Sequence, residues 1–587
     1  MLNQRIRNFL TLTGVALLTV ILSVIWIKQS CNDYENKPRA TIQLENSSDH
    51  VLKVLKMTVD LKNHQEFKKF EMVRDILKGP HIKQSIPGEI PTTAHYVWCG
   101  DKIFTFREYL GVLSIVKVFE PLRIFFYYNS LPKTDGSFYH SWFPELKQSL
   151  ANLIFRKINR PIQCNTMDAV DVALEQMASN KVGGFYVGER AVLTHVPDTW
   201  KTGKYFTYQK QGSSSSEDMI VFVNVKQGID GKNESDIKLF KNSVLNQTIE
   251  CYTPEQFDNE GQSSDNVGTM TSPCVVLPTP IFPENILNSS SPQNAFLRWL
   301  CYSDTQQTID TPELVPLINH VIYLNKNPGQ PIVWSFENYV NIISSLYLGG
   351  FERVYVHGDT EPSGKFWDRL KSENVTFVYV DQPYSVFQQD INVMEHKSDI
   401  LRVQILYKYG GTYNDNDVIW VKPLSEDQRR HPVLGSYDWQ QRDVWPRTIN
   451  NGLIVARPKA LFLSKMLETF KYFRDDLWAL NSCYMYYKIY EKYPESFHID
   501  NRLQVGCFKG ICHPAWHDDF QRVIGDLRPT TRVNIQEANA FHIFERKPGV
   551  TFNSFSQHQN KTSIDAILVK NVMAAIRKAG KAHLVED

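Results

Sequence analysis

The clearest alternation of apolar and polar positions lies in the second half of the chain. Apolar runs typical of strands occur at residues 318–325 (INHVIYLN), 353–359 (RVYVHGD) and 375–381 (VTFVYVD). Amphipathic segments at 335–350 and 363–373 separate these runs and predict helices, the first of which ends at a glycine pair. Because continuous apolar strands alternating with helices are typical of parallel sheets, the pattern predicts an α/β domain with a largely parallel sheet.

A weaker version of the same pattern occupies the first half. Five short segments recur in the same order, at residues 90–95 and 315–320, 105–109 and 335–339, 123–128 and 353–358, 181–192 and 408–419, and 293–299 and 538–544. We interpret the series as an internal duplication; chance resemblance of short segments is the alternative. The predicted organisation is therefore a degenerate copy at 86–310 followed by a catalytic domain at 311–587.

The N-terminal region predicts a membrane anchor. Residues 8–27 are uncharged and mostly apolar, and as a helix they would cross a hydrocarbon core of roughly 30 Å. Arg5 and Arg7 precede the span, so we expect residues 1–7 to be a cytoplasmic tail, residues 28–85 a polar stem, and the remainder lumenal. A cleaved signal peptide is the alternative, although its apolar core would be shorter.

Charge and cysteine content narrow the class of protein. The formal net charge is +1 and no dominant basic stripe is visible, so nucleic acid is not a favoured partner. The chain has nine cysteines and six Asn-x-Ser/Thr triplets, which suit an oxidising compartment. Cys507 and Cys512 enclose a four-residue loop and are the pair most easily imagined as a disulfide, although sequence does not settle connectivity.

Two carboxylates stand out at residues 408–424 (KYGGTYNDNDVIWVKPL). In an extended segment alternate side chains point the same way, so we expect Asp415 and Asp417 to project together beside a buried strand. Such a pair suits a hard cation, Mn²⁺ or Mg²⁺, with open coordination positions for substrate phosphates. An Asx-rich turn without a metal is the alternative.

The repeat indicates which positions are dispensable for folding. The first half has Gly188, Arg190, Glu175 and Leu297 where the second half has Asp415, Asp417, Arg402 and His542. A fold needs its apolar periodicity but does not need an acidic pair. The carboxylates are therefore candidates for chemistry in the second half alone.

A helix is predicted immediately before the acidic pair. Ser398 is a plausible N-cap and Gly410 a plausible C-cap of this helix. Asp399 and Arg402 lie three residues apart and hence on one face, where they would line the pocket near the metal. A local ion pair is the alternative interpretation.

At residues 398–424 the chain resembles the glycosyltransferases with a DxD sugar-binding region, through the pattern S-D-x-x-R…L…x-G-G-x-Y-x-D-x-D. Residues 449–463 (INNGLIVARPKALFL) resemble the family's N-N-x-x-x-A-x-P segment. Residues 539–547 (NAFHIFERK) resemble its closing H-x-W segment, with Phe544 in place of Trp. The resemblance covers roughly residues 311–550.

The resemblance implies a GT-A fold, a nucleotide-sugar donor, a divalent cation and retention of anomeric configuration. It implies that Asp415 and Asp417 hold the cation and diphosphate, while Asp399 and Arg402 contact donor hydroxyls or phosphate. The acceptor would be a glycan, glycolipid or glycoprotein. With the predicted anchor, it implies a single-pass type II protein of the Golgi membrane.

Further candidates have structural alternatives of similar weight. His542 is a candidate metal or phosphate ligand or an ordinary structural histidine. Asn450 and Asn451 face the sugar or acceptor, or are turn residues before Gly452. His320 lies in an apolar strand and is expected to be a core residue. Competing functions are a non-catalytic carbohydrate- or nucleotide-binding scaffold and hydrolysis of nucleotide sugars.

Overall fold

The computed structural model describes residues 93–586 with internal gaps. The gaps are at 164–165, 181–182, 198, 203–204, 214, 225–247, 264–271, 278–279, 288–290, 303–312, 328, 439–444, 510, 517–533 and 546–552. The predicted membrane span at 8–27 and the predicted stem at 28–85 lie outside the described residues. Among the described residues, no helix combines the length and hydropathy needed to cross a membrane.

The first segment, residues 93–302, alternates strands and helices. Its strands are β1 (Thr93–Trp98), β2 (Arg123–Tyr128), β3 (Leu153–Lys157), β4 (Gly184–Val187), β5 (Ala191–Leu193), β6 (Tyr205–Lys210), β7 (Met219–Val223), β8 (Thr248–Cys251) and β9 (Cys274–Val276). Its helices are α1 (Phe106–Ser114), α2 (Trp142–Ser149), α3 (Asp168–Asn180), α4 (Thr199–Thr202), α5 (Pro254–Ser263), α6 (Pro283–Leu287) and α7 (Pro292–Tyr302).

The second segment, residues 313–586, repeats this alternation. Its strands are β10 (Ile318–Ile322), β11 (Arg353–Gly358), β12 (Val375–Tyr379), β13 (Ser385–Val386), β14 (Gln389–Asp390), β15 (Gly411–Asn414), β16 (Val418–Trp420), β17 (Val433–Tyr437), β18 (Ile449–Ala456), β19 (His498–Ile499), β20 (Gln504–Phe508), β21 (Ile511–His513) and β22 (Ala540–Glu545). Its helices are α8 (Phe336–Tyr347), α9 (Lys365–Leu370), α10 (Met394–Tyr409), α11 (Glu426–Arg430), α12 (Leu461–Thr469), α13 (Met485–Lys492) and α14 (Ile564–Lys578).

The two segments build sheets of the same topology. The first sheet has the order β3-β2-β1-β4-β7-β6-β8 and the second the order β12-β11-β10-β15-β18-β17-β19. In each sheet the first four strands are parallel, the next two pairings are antiparallel, and the last pairing is parallel. The predicted α/β class is confirmed, and the sheets are mixed rather than uniformly parallel.

Apolar strands form because both sheet faces are covered. In β1, Tyr96 and Trp98 belong to one buried cluster, while Val97 and Cys99, the residue after the strand, belong to the cluster on the opposite face. Alternate residues of a strand point to opposite faces, so this division places core on both sides of the sheet. His320 in β10 is buried as expected and lies 3.0 Å from the His357 ring nitrogen.

A second layer carries the candidate site. In the second segment β16, β22, β20 and β21 form a four-stranded sheet, whereas in the first segment only β5 and β9 pair in this place among the described residues. Val418 of β16 pairs with His542 of β22, and the repeat-equivalent Ala191 of β5 pairs with Val276 of β9.

This register corrects one predicted correspondence. Residues 293–299 lie in helix α7, whereas residues 540–545 form strand β22, so the two segments are not equivalent. The position that matches His542 in the first segment is therefore Val276 rather than Leu297.

The helix before the acidic pair also differs from the prediction. Helix α10 begins at Met394 with Val393 as N-cap, and Ser398 lies inside its first turns. Its Oγ donates to Glu395 O at 2.6 Å, a back-bond that serine makes within helices. The predicted end is confirmed, because Gly410 is the C-cap with φ of +64°, a value that glycine adopts readily.

The segments meet through polar and aromatic groups. Tyr139 Oη donates to Glu491 Oε1 at 2.7 Å, and the ammonium of Lys488 lies 3.3 Å from the centroid of the Trp142 ring. Trp445 Nε1 donates to Ser137 O at 2.9 Å. These contacts join the first segment to α13 and to the loop before β18.

Two disulfides are present among the described residues. Cys507–Cys512 confirms the predicted pair and links β20 to β21. Cys251–Cys274 joins the end of β8 to the start of β9, a pairing that the sequence did not indicate. Cys99, Cys301 and Cys483 are described and are not disulfide-bonded.

Candidate functional site

The acidic pair occupies a turn rather than an extended segment. Asp415 follows β15, Asp417 precedes β16, and Val418 N closes the turn on Asp415 O at 3.2 Å. Asn341 Nδ2 donates to Asp415 O at 3.0 Å, and Asp415 N donates to Gly452 O at 2.8 Å. The prediction of an extended pair is therefore wrong, but the turn is anchored from both sides and presents both carboxylates together.

Two asparagines within this motif anchor it. Asn414 Oδ1 accepts from Asn319 Nδ2 at 2.6 Å and from Trp420 Nε1 at 3.0 Å. Asn416 Nδ2 donates to Ile322 O at 3.0 Å. Since a buried amide without partners costs roughly 1–3 kcal/mol, these residues fix the turn to β10 and β16.

Asp415, Asp417 and His542 converge at the carboxyl end of β15. Their possible ligand atoms lie within 4.8 Å of one another. His542 Nε2 is 3.1 Å from Asp417 Oδ1 and 3.7 Å from Asp415 Oδ2. The carboxylates are about one-third exposed, whereas the histidine is buried. Two oxygens and one imidazole nitrogen form a donor set that suits a divalent cation with positions left open to solvent.

The electrostatics of His542 follow from its neighbours. Burial alone would lower its pKa, but Asp417 and Asp415 oppose burial and raise the pKa above its ordinary value. The two carboxylates therefore favour the protonated imidazolium of His542, whose positive charge partly balances their negative charge. His542 Nδ1 is buried and has no hydrogen-bond partner among the described residues.

Arg402 lies directly behind the acidic pair. Its Nη2 is 3.3 Å from Asp415 Oδ1 and 3.2 Å from Asp399 Oδ1, and its Nη1 donates to Asn451 O at 2.9 Å. The guanidinium stacks 4.5 Å from the centroid of the Tyr413 ring. Despite burial, Asp415 raises its pKa further above the ordinary value. Arg402 is thus a fixed buried cation that orients Asp415.

Asp399 contacts Asn451 on the next strand. Asn451 Nδ2 donates to Asp399 Oδ1 at 2.9 Å. Burial raises the pKa of Asp399, and Arg402 opposes that change. Asp399 is buried and contacts Arg402, as the helix spacing predicts.

Both predicted asparagines lie in strand β18 rather than in a turn. Asn450 Oδ1 accepts from Gly452 N at 2.9 Å, and Asn450 Nδ2 lies 3.4 Å from Asp438 Oδ2. Cys483 Sγ lies 3.7 Å from Asp438 Oδ2 and 3.9 Å from Asn451 Oδ1. The two asparagines therefore connect β18, which pairs with the strand before the acidic turn, to Asp438 and Cys483.

Two further residues, Tyr413 and Gly452, shape the site and were not singled out as site residues from the sequence. Tyr413 Oη donates to Asp415 Oδ1 at 2.5 Å, and the signal available for it was its place as the tyrosine of the G-G-x-Y-x-D-x-D pattern. Gly452 leaves space for the site, because an added Cβ would lie 2.2 Å from His542 Cε1 and 2.6 Å from Asp415 Oδ2. The Asn-Asn-Gly triplet was the available signal for Gly452.

The equivalent place in the first segment has a different chemistry. An added Cβ at Gly188 would lie 2.3 Å from Ser216 O, so a carboxylate has no room there. Arg190 pairs with Asp218 at 2.8 Å. The nearby buried Glu189 is paired with Lys102, so a lysine ammonium already neutralises its carboxylate.

Fold and site together define an α/β protein with a DxD turn at the carboxyl edge of its second sheet. Residues 314–438 match the model of the family described as glycosyltransferase sugar-binding region containing DXD motif. The matched stretch lies in the second segment and includes the acidic turn.

Among individual proteins, the chain is similar to Glucan organizing enzyme 1 of Cryptococcus neoformans var. grubii serotype A (strain H99). The two are 25% identical over 214 residues, which cover 35% of this chain and 56% of the relative. The chain thus spans little more than half the length of this curated relative.

Solved structures with similarity include three glycosyltransferases. The WbbM bifunctional glycosyltransferase is 8% identical over 63% of this chain and 69% of that chain, with a TM-score of 0.27. Galactosyltransferase LgtC with donor and acceptor sugar analogs is 10% identical over 45% of this chain and 99% of that chain, with a TM-score of 0.23. The PaToxG glycosyltransferase is 19% identical over 31% of this chain and 70% of that chain, with a TM-score of 0.23.

Proposed function

We propose that this chain transfers a sugar from a nucleotide-sugar donor to a glycan, glycolipid or glycoprotein acceptor, with retention of configuration, on a GT-A catalytic domain at 311–587. The observation that carries the proposal is the convergence of Asp415, Asp417 and His542 within 4.8 Å, backed by buried Arg402. A turn without a ligand needs neither the histidine nor a buried arginine, whereas a cation-bound diphosphate needs such a donor set.

The residues present fit a divalent cation, Mn²⁺ or Mg²⁺. Asp415, Asp417 and His542 would hold it, and Gly452 leaves the space that their side chains occupy. When bound, the cation would neutralise diphosphate charge and so make the nucleotide a better leaving group. The partly exposed faces of both carboxylates leave room for phosphate oxygens.

The remaining residues would position the donor. Arg402 holds Asp415 and adds positive charge behind it, which favours a bound phosphate. Asp399 and Asn451 are already hydrogen-bonded to each other. Asp399 would accept hydrogen bonds from sugar or ribose hydroxyls, and Asn451 would donate to them or accept from them. Asn450 lies beside them on β18. All four side chains are held by several elements, so little ordering is required when the donor binds.

A donor screen tests this function. The full chain is incubated with single nucleotide sugars, with Mn²⁺ or with chelator, and released nucleotide and transferred sugar are both measured. We expect one nucleotide sugar to turn over with Mn²⁺ only. Asp417→Ala should lower turnover by at least about 100-fold, because it removes a ligand and charge stabilisation at the leaving group.

The matched control is Asp427→Ala, which removes an exposed aspartate outside the site and should retain full turnover. Turnover that survives chelation, or that is equal in Asp417→Ala, would refute the proposed role of the cation. Nucleotide release without sugar transfer to any acceptor would favour hydrolysis.

For the first segment we propose a non-catalytic role as a support, derived from an internal duplication. The shared strand order and the neutralised Glu189 support this proposal. A further match is His95, whose Nδ1 lies 3.1 Å from Tyr127 Oη, as His320 Nδ1 lies 3.0 Å from His357 Nε2. A non-catalytic binding scaffold, the alternative for the whole chain, thus suits this segment best.

We also propose that residues 8–27 anchor the protein in the Golgi membrane as a single-pass type II protein. The apolar sequence of this span and the two disulfides beyond it support a lumenal body in an oxidising compartment. Protease protection of the body in sealed Golgi vesicles, with the N-terminal tail accessible, is the expected outcome. Accessibility of the body would contradict it.

A further inference from the structure

A connected set of buried polar side chains lies beside the acidic turn. Trp420 Nε1 and Asn319 Nδ2 both donate to Asn414 Oδ1, at 3.0 and 2.6 Å. Asn319 Nδ2 also donates to Ser345 Oγ at 3.0 Å, and that hydroxyl donates to Asn341 O at 3.0 Å. All five residues are buried, and we call them the asparagine network.

The network ends on the backbone of the turn. Because an indole N–H can only donate, Trp420 fixes Asn414 Oδ1 towards itself, and Asn414 Nδ2 then donates to Asp415 O at 3.0 Å. Asn341 Nδ2 donates to Asp415 O at 3.0 Å and to Val418 O at 2.6 Å. Two amides therefore converge on one carbonyl, and the amide of Asn341 joins both ends of the turn.

A serine contact is common to both segments and shows which positions correspond. Ser114 Oγ in α1 donates to Gly111 O at 2.7 Å and accepts from Leu193 N at 3.0 Å. Ser344 Oγ in α8 likewise donates to the carbonyl three residues earlier, at 2.8 Å, and accepts from Trp420 N at 3.1 Å. Each serine thus joins its helix to the end of the second-layer strand.

The first segment has no polar side-chain group at the positions of the network. By strand register and the serine contacts, Asn319, Asn341, Ser345, Asn414 and Trp420 correspond, in that order, to Ala94, Gly111, Ile115, Val187 and Leu193. An added Cβ at Gly111 would lie 3.2 Å from Ala191 O, which corresponds to the Val418 O that Asn341 holds. Since both segments build the same sheet, the fold does not require the network.

The network also has a cost in stability that the first segment avoids. Asn319 Oδ1 and Asn341 Oδ1 are buried and have no hydrogen-bond partner among the described residues. A buried polar atom without a partner costs desolvation free energy, so an incompletely paired network is less stable than apolar packing. A costly network beside the acidic turn, with apolar side chains at the matched positions elsewhere, serves the site rather than the fold.

We propose that Asn319, Asn341 and Asn414 are positioning residues that hold the acidic turn in the shape in which Asp415 and Asp417 converge. This role rests on the proposed cation-dependent transfer. The two carboxylates repel each other before a cation binds, which favours a turn that opens. Amides that fix the turn backbone oppose this opening, so the ligands are already in place for the cation.

The test measures Mn²⁺ affinity and stability of the full chain. Asn341→Ala removes the amide that joins both ends of the turn, and Asn319→Ala copies Ala94 of the first segment. Each substitution also deletes a buried oxygen that lacks a partner, so we expect both variants to fold. By electron paramagnetic resonance, Asn341→Ala should bind Mn²⁺ about tenfold or more weakly. Asn319→Ala acts through Asn414 and should show a smaller loss in the same direction.

Ser344→Ala is the matched control, because it removes two hydrogen bonds on the same helix that the first segment also has. It should lower the denaturation midpoint at least as much as Asn341→Ala and leave Mn²⁺ affinity unchanged. Mn²⁺ affinity of Asn341→Ala equal to that of the parent chain, or equal weakening by Ser344→Ala, would overturn the positioning role. Absence of Mn²⁺ binding by the parent chain would instead refute the proposed cation site.

Discussion

Gly452 lies between the candidate cation ligands and Asn450, and its missing side chain is what lets them meet. Its backbone accepts from Asp415 N and donates to Asn450 Oδ1. An added methyl group would overlap His542 Cε1 and Asp415 Oδ2. At this scale the site depends on a residue that contributes no ligand atom.

Gly452→Ala is therefore expected to weaken Mn²⁺ binding by about 10- to 100-fold, the range seen when groups that orient metal ligands are altered. Overpacking should also lower the free energy of unfolding by about 1–3 kcal/mol. Electron paramagnetic resonance of free Mn²⁺ during titration measures the first effect. Gly136→Ala is the control, because an added Cβ there has nothing within 4 Å; equal Mn²⁺ affinity in both variants would contradict the prediction.

Strands β10 and β11 share a buried histidine pair. Burial lowers the pKa of His320 to about 4 and lowers the pKa of His357, which also feels the charge of His320. Both rings are therefore neutral in the folded chain at neutral pH. In the first segment the same strand pair has His95 and Tyr127, so one titrating ring suffices for this arrangement.

The sign of the pH effect follows from linkage. Below about pH 6.5 these histidines bind protons in the unfolded chain but stay neutral in the folded chain. The free energy of unfolding therefore falls as the pH decreases from about 6.5 to 4. His357→Tyr, which copies the first segment, should fold and should lose less stability over this interval. Unfolding temperature measured at pH 7 and pH 4.5 checks this, with His583→Tyr, at an exposed histidine, as control. An equal loss in all three chains would count against the buried pair.

Helix α10 shows the limit of local sequence signals at the scale of elements. Its end at Gly410 was predictable from a residue that tolerates positive φ. Its start was not, because Val393 has no capping side chain and Ser398 is a good cap in isolation. Contacts outside the helix decide the start: Val393 N and His396 Nδ1 both lie against Asp475, at 3.3 and 2.9 Å.

At the scale of the whole molecule, a buried charge cluster joins the first segment to α13. Burial raises the pKa of Glu491 to about 7, with Lys488 opposing the shift, and burial lowers the pKa of Lys488 to about 8. Lys488 also lies against Trp142, and Tyr139 Oη donates to Glu491. A cluster this deeply buried ties the two segments together as one unit.

Glu491→Ala leaves Lys488 buried without its carboxylate and removes the acceptor of Tyr139 Oη. We expect a loss of about 3–5 kcal/mol in the free energy of unfolding, as for other broken buried pairs. Chemical denaturation of the full chain measures it. Glu495→Ala, at an exposed glutamate one turn further on, should change stability by less than about 0.5 kcal/mol. Similar stability of the two variants would mean that the cluster does not hold the segments together.

The sequence by itself determined the α/β class, strands β10 to β12 with helices α8 and α9, the end of α10, the Cys507–Cys512 pair and the residues of the acidic turn. These features depend on side-chain periodicity and on short spacings along the chain. The repeats of about 3.6 residues in a helix and 2 in a strand determine which neighbouring side chains share a face. Asp399 and Arg402 were predictable for the same reason, since three residues along a helix fix a common face.

Only the tertiary structure decided which distant residues join that turn. His542 and Gly452 reach the site through the register of β22 and β18, and a shift of one residue would turn the His542 side chain to the other face of its sheet. The same register, not sequence similarity, matched His542 with Val276. The segment at 539–547 had already made His542 a candidate ligand by resemblance, but its pairing with Val418 is set by the packing of the whole core, which no local pattern encodes.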